Sequence, residues 1–156
     1  MQMGDNEVNF RFNPDYEPID GDVLQAVPNP RPDTDRTDRH VAKEFSTNCP
    51  VDYGVDPDAD EDEEVESEGV RDYGEIEIEY QPEDYIVELK SVKYYLMSFE
   101  DARISHEEVT AKVWQDLAEI LYPDLDEEEA QKRLHVSFDV NPRGGISSQT
   151  WVGGIQ

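Results

Sequence analysis

Read for period alone, the chain divides into a weakly patterned first third and a strongly patterned remainder. Residues 74–82, "GEIEIEYQP", set Ile76, Ile78 and Tyr80 in alternation with three glutamates. A period of two puts the apolar residues on one face, which predicts a half-buried strand with one wet side. The period then changes. In "ELKSVKYYLMSF", residues 88–99, Leu89, Val92, Leu96 and Phe99 recur at spacings of three and four, one face of a helix. A second helix is predicted from Ser105, which forms a capping box with Glu108. Val109, Val113, Leu117, Ile120 and Leu121 make its buried stripe, and Pro123 ends it. Residues 134–142 alternate again through Leu134, Val136, Phe138 and Val140; "NPRGGI", residues 141–146, then turns the chain into a last short strand. Upstream, "HVAKEFST", residues 40–47, reads as a further strand. The predicted order is strand, strand, helix, helix, strand, strand: an α+β fold on an antiparallel sheet, without an internal repeat.

The remaining segments carry little period. Residues 1–23 are polar and acidic and read as an N-terminal arm, leaving residues 24–156 as a single domain. The prolines of "VPNPRPDTD", residues 27–35, exclude a helix interior. Residues 56–68 hold nine acids and no base, and the stretch 56–71 reads as an acidic loop insertion. It is not a calcium loop. With Asp56 as first ligand, the sixth position is Glu61 where the turn needs Gly, and the twelfth is Ser67 where the loop needs Glu.

Charge narrows the choice further. The chain has 156 residues, with 39 Asp and Glu against 13 Lys and Arg, a formal net charge of −26. Such a chain is either disordered or folded and adapted to salt that screens its self-repulsion. The periodic segments, with two Trp, eight Tyr and five Phe, favour the folded, salt-adapted reading. No basic cluster is present to displace counterions from a polyanion, so binding nucleic acid through a basic patch is not expected. No apolar run reaches membrane-spanning length and the first residues lack a secretory apolar region, so a cytoplasmic location is expected.

The single cysteine, Cys49, cannot form an intramolecular disulfide. Taken alone, a lone Cys is usually a small buried hydrophobe. His106 and Glu107 change the picture, because the capping box puts them in the first turn of a helix, where the positive dipole end favours an anion. A carboxylate held there can accept two parallel N–H bonds from a planar ligand. Thr110 stands where an H-E-x-x-H zinc motif needs its second His, and no metal site is expected.

Together, "LQAVPNPRP", "EFSTNCP", "VELKSVKYYLMSF", "SHEE" and "DVNPRGGI" resemble, in order, the NADPH-dependent 7-cyano-7-deazaguanine reductases. The resemblance runs from about Leu24 to Ser147. It implies the tunnelling fold, homo-oligomeric rings with active sites at subunit interfaces, and NADPH as cofactor. By that analogy Cys49 is the nucleophile that adds to the nitrile of 7-cyano-7-deazaguanine and forms a thioimide. An aspartate protonates the nitrogen, and His106 assists catalysis. The resemblance further implies that Val87, Glu88, Leu89, His106 and Glu107 bind substrate, and that Lys90, Ser91 and Lys93 bind cofactor. The family's aspartate follows the cysteine by seven residues, the spacing of Asp56, whereas Asp72 has its context directly before a strand. A donor must be rigidly held, so Asp72 is expected and Asp56 is the alternative. In "SFED", Glu100 occupies a place that is basic in the family, which argues against phosphate binding. Two rival readings remain. A relative adds ammonia to the nitrile on tRNA to make archaeosine, and a salt-adapted chain points to an archaeal host. A non-catalytic purine-analogue binder would do without Cys49.

A net charge of −26 makes salt a folding requirement. The thermal midpoint should rise strongly between low and molar salt, as the Debye length contracts to about 3 Å at 1 M. A midpoint that does not move rules the salt-adapted reading out.

Overall fold

The computed structural model describes residues 10–16, 19–53 and 71–154; Asp56 and nearly all of the expected insertion lie outside the described residues. Four long strands make the main sheet: β3 (Asp38–Asn48), β5 (Arg71–Tyr80), β7 (Leu134–Arg143) and β8 (Ile146–Val152). They pair antiparallel in that order, which leaves β3 and β8 as edges. Between β5 and β7 the chain forms α1 (Leu89–Met97), α2 (His106–Leu121) and a short α3 (Glu127–Gln131). Two small antiparallel ladders complete the fold. β1 (Phe10–Phe12) pairs with β4 (Val51–Tyr53), and β2 (Ala26–Pro28) pairs with β6 (Tyr85–Val87). The expected arm therefore includes one paired strand. Among the described residues no helix is long and apolar enough to cross a membrane.

Alternation decides which face of the sheet is covered. Ile76, Ile78 and Tyr80 of β5 and Leu134, Val136 and Phe138 of β7 are buried with the helices. The intervening Glu75, Glu77 and Glu79 lie on the other face, where Glu77 pairs with Arg39 and Glu75 stands directly opposite Asp139. Phe45 fills the centre, edge-on to Phe138 with ring centroids 5.1 Å apart.

The helices match the predicted faces with two corrections. Leu89 is 55% exposed, because the helix begins there and its neighbour Glu88 is the N-cap; Tyr95 supplies the burial instead. In α2 Ile120 is half-buried while Trp114 is buried, its indole N–H donating to Leu134 O at 2.9 Å. The hydrogen bond lets an aromatic with a polar edge take a core position.

Two glycine sites fix the sheet's geometry. Gly144 and Gly145 have φ of 60° and 80° between the paired Arg143 and Ile146, a two-residue turn of the kind that asks for left-handed residues. At Gly74 the constraint is space. A Cβ there would lie 2.1 Å from the carbonyl oxygen of Asp139. Backbone cannot retreat without opening the β5–β7 ladder. Gly74→Ala should cost about 3 kcal/mol in denaturant unfolding; a loss below about 0.5 kcal/mol would show the ladder is not tight there.

Candidate active site

Cys49 follows β3, and one residue before it fixes its place. Asn48 N donates to Ala102 O at 2.8 Å, and Asn48 O accepts from Ile104 N at 3.0 Å. The Asn48 side-chain amide also reaches Asp101 O at 3.3 Å. These bonds dock the end of β3 against the segment leading into α2. On the far side of that segment, Asp15 and Arg103 exchange backbone bonds at 2.8 and 2.7 Å. Asn13 N donates to Pro50 O at 2.6 Å and closes the loop after the cysteine. Cys49 is left 8% exposed.

The docking opens a cleft of about 470 Å³ lined by Cys49, Asp72, Ser105, His106 and Glu107, among others. The N-terminus of α2 forms one side. Ser105 caps it as predicted, its Oγ accepting from Glu108 N at 3.2 Å. The N-terminus of a sixteen-residue helix thus borders the same cleft as the thiol. His106 Nε2 lies 2.9 Å from Glu107 Oε1, and its ring meets Phe138 edge-on at 6.5 Å, so the imidazole is held from two sides. The Glu107 side chain remains 65% exposed. Asp72 sits on β5 opposite Thr47, on the inner face and 6% exposed. A carboxyl, an imidazole and a thiol therefore meet on rigid elements. That set can add a sulfur nucleophile to a carbon and move a proton to the atom beside it.

The other predicted residues sit elsewhere. Val87 is buried at the end of β6, its N–H donating to Tyr80 Oη at 3.1 Å. Glu88 caps α1, with Oε1 accepting from Lys90 N at 3.0 Å and Oε2 from Ser91 N at 2.7 Å. Each oxygen keeps a second acceptor direction. The Ser91 hydroxyl is engaged within the protein, donating to Glu88 O and accepting from Gln25 N. Leu89 and Lys93 line a separate groove of about 480 Å³ between α1 and β3, with Glu100 at its rim. The Lys90 ammonium lies 6.0 Å above the Tyr94 ring. None of these six residues lines the Cys49 cleft. Among the described residues no cluster of three or more His, Cys, Asp or Glu could hold a metal.

The sequence profile of the QueF-like protein family matches residues 71–155. The NADPH-dependent 7-cyano-7-deazaguanine reductase of Caldicellulosiruptor bescii is 31% identical over 134 residues, covering 86% of this chain and 84% of that protein. The reductase of the same name from Thermotoga petrophila is 32% identical over 145 residues, covering 90% and 85%. The chain belongs to the QueF-like family. Its fold is also that of the apo archaeosine synthase QueF-Like, with a TM-score of 0.52 at 14% identity over 77% of this chain and 96% of that one.

Sequence reading overlooked several residues of this QueF-like cleft: Phe12, Val51, Val140, Asn141, Ile146 and Ser148. One signal for Phe12 was present. "VNFRFN", residues 8–13, alternates apolar and polar, but it is too short to stand out beside the long strands.

Glu88 generates a pH prediction. The amides of Ser91 and, next, Lys90 hold its carboxyl below the ordinary value of 4.5. The depressed folded value means the cap's contribution is fully present above the unfolded pKa and is lost as pH falls through the folded one. Glu88→Gln should therefore lose thermal stability less steeply than wild type on acidification below pH 4.5. Parallel acid limbs would show that the cap carries no linkage.

Proposed function

We propose that this QueF-like protein is an NADPH-dependent oxidoreductase that reduces the nitrile of 7-cyano-7-deazaguanine to the primary amine. The observation that carries the reading is the meeting of Cys49, Asp72, His106 and Glu107 in one cleft. A nitrile is a weak electrophile, and a soft sulfur nucleophile is suited to it. Asp72 takes the thiol proton as Cys49 Sγ bonds to the nitrile carbon, and returns that proton to the nitrogen. The result is a neutral thioimide, with no net change in charge. Glu107 accepts the paired N–H groups on the guanine-like edge and fixes the nitrile toward Cys49. His106 holds Glu107 in place and presents its ring to the reacting end. Bound NADPH would supply the two hydrides, one in each of two rounds. The nitrogen would take a proton from solvent with the first. Cys49 would be released as thiolate before the second and regain its proton from solvent.

The residues present fit an anionic cofactor. Lys43, Lys90 and Lys93 are exposed, and none is ion-paired among the described residues, whereas Lys112 and Lys132 each hold a carboxylate. Free cations in a chain this acidic favour an anionic partner. Lys93 lines the α1–β3 groove, and Lys43 stands on the adjoining strand. Glu100 weakens the field at that rim.

The full site needs a second subunit, in a ring of tunnelling folds. Glu88 does not line the Cys49 cleft, and among the described residues β3 and β8 are the outer strands of the main sheet. The β8 edge, "ISSQTWV", carries no charge at all in a chain with 39 acids. Exposed edges are ordinarily guarded by charge, so an uncharged one fits a strand that is paired. Val87, Glu88 and Leu89 then come from the neighbour.

The test is intact mass after exposure to 7-cyano-7-deazaguanine in molar salt without cofactor. An adduct on wild type, absent in Cys49→Ala, is expected. Asp72→Asn should slow its formation at least tenfold, with Asp56→Asn near wild type. With NADPH, two should be oxidised per amine formed. Amidine formation from nitrile-bearing tRNA and ammonia, with no NADPH oxidised, assigns the chain to the transferase reading instead.

A further inference from the structure

The cleft supplies edge-on polar partners, but a flat heterocycle also presents two π-faces. Among the described residues that line it, Phe12 is the one benzene ring. It is 63% exposed, a high value for a phenylalanine held in a paired strand. Its backbone is closely fixed, because Phe12 pairs with Val51 and the next residue, Asn13, donates to Pro50 O at 2.6 Å. Those are the two residues that follow Cys49. The ring is thus tied by two backbone contacts to the loop that carries the thiol, in the cleft that the α2 N-terminus also lines. It has no ring–ring partner among the described residues, unlike Phe45, Phe99 and Phe138, which stack in the core. An apolar ring kept rigid, wet and facing a polar cleft suits a ligand that brings its own apolar face.

We infer that Phe12 is a specificity-determining residue that stacks on the planar bicyclic ring of the substrate. The inference rests on the proposed nitrile reading and extends it to β1. Phe12 covers the ring's face while Glu107 accepts its edge, so only a flat ring bearing adjacent N–H donors meets both. Ile146, 69% exposed at the same cleft, adds apolar surface without π character.

The experiment measures how adduct formation on Cys49 depends on 7-cyano-7-deazaguanine concentration, without NADPH. Iodoacetamide alkylation of Cys49 serves as a control that needs no stacking. Phe12→Ala should raise the half-saturating nitrile concentration about tenfold, the usual scale for losing one aromatic–base stack. Phe12→Trp should restore it, and both variants should alkylate at the wild-type rate. If Phe12→Ala saturates at the wild-type concentration, the inference fails and the nitrile reading stands. A shift matched by an equal change in alkylation rate also overturns it, since Phe12 would then be shaping the loop. If wild type forms no adduct at any concentration, the functional reading fails and takes this inference with it.

Discussion

The site depends on a pair of backbone bonds at Asn48. Its N–H and C=O are both taken by residues 102 and 104, in parallel register, at the last step of β3. A strand end would otherwise leave these groups to water. Here they tie β3 to the three residues that precede Ser105, and so tie the cysteine to the start of α2. Without that tie, the thiol and the helix N-terminus would lie on separate elements with no fixed relation. Arg71 reinforces the connection from β5, donating to Glu100 O at 2.6 Å. The acid in "SFED" therefore has a structural use at its backbone, whatever its side chain does to the groove.

That arrangement also accounts for a cysteine in so acidic a chain. Many acids of this protein stand where the backbone presents positive charge. Glu88 and Asp126 cap α1 and α3 by accepting from amides of the first turn. Glu107, Glu108 and the three glutamates of α3 occupy first turns as well. Others cover the open face of the sheet, where Glu75 and Asp139 face each other at a cost that salt reduces. The acidic chain thus keeps its core apolar and places the thiol in a cleft that a helix N-terminus borders.

Long elements were legible because their apolar residues repeat many times. The strand read at 40–47 extends to 38–48, and the helix read from Ser105 begins at His106 with Ser105 as its cap. What was missed is short. Asp126 and Glu129 repeat the capping signature of Ser105 and Glu108, but α3 buries only Ala130, so no apolar period marks it. Leu89 was assigned to the buried face by spacing alone, since spacing does not know where a helix begins. Of the site, motif resemblance named Cys49, His106 and Glu107, and the need for a rigidly held donor chose Asp72 over Asp56; these four line one cleft. Phe12 was hidden because its strand pairs with β4, a contact between residues about forty apart in the chain.

Symmetry limits how such chains could complete the site. The Cys49 cleft runs from Cys49 and Pro50, just after β3, through Asp72 and Val140 to Ile146 and Ser148 of β8, whereas Leu89 and Lys93 border the groove beside β3. A twofold contact buries the same patch on both subunits and pairs unlike residues reciprocally, whereas a head-to-tail contact uses two different patches. A head-to-tail contact of β8 with a neighbour's β3 would pair both outer strands at every interface. It also pairs an edge without charge to one that carries Arg39, Lys43 and Glu44. Repeated contacts of this kind give a ring where the rotation between subunits closes and a filament where it does not. The proposed chemistry and the proposed assembly therefore share one requirement: Glu88, which does not line the Cys49 cleft, must reach it from a neighbouring chain.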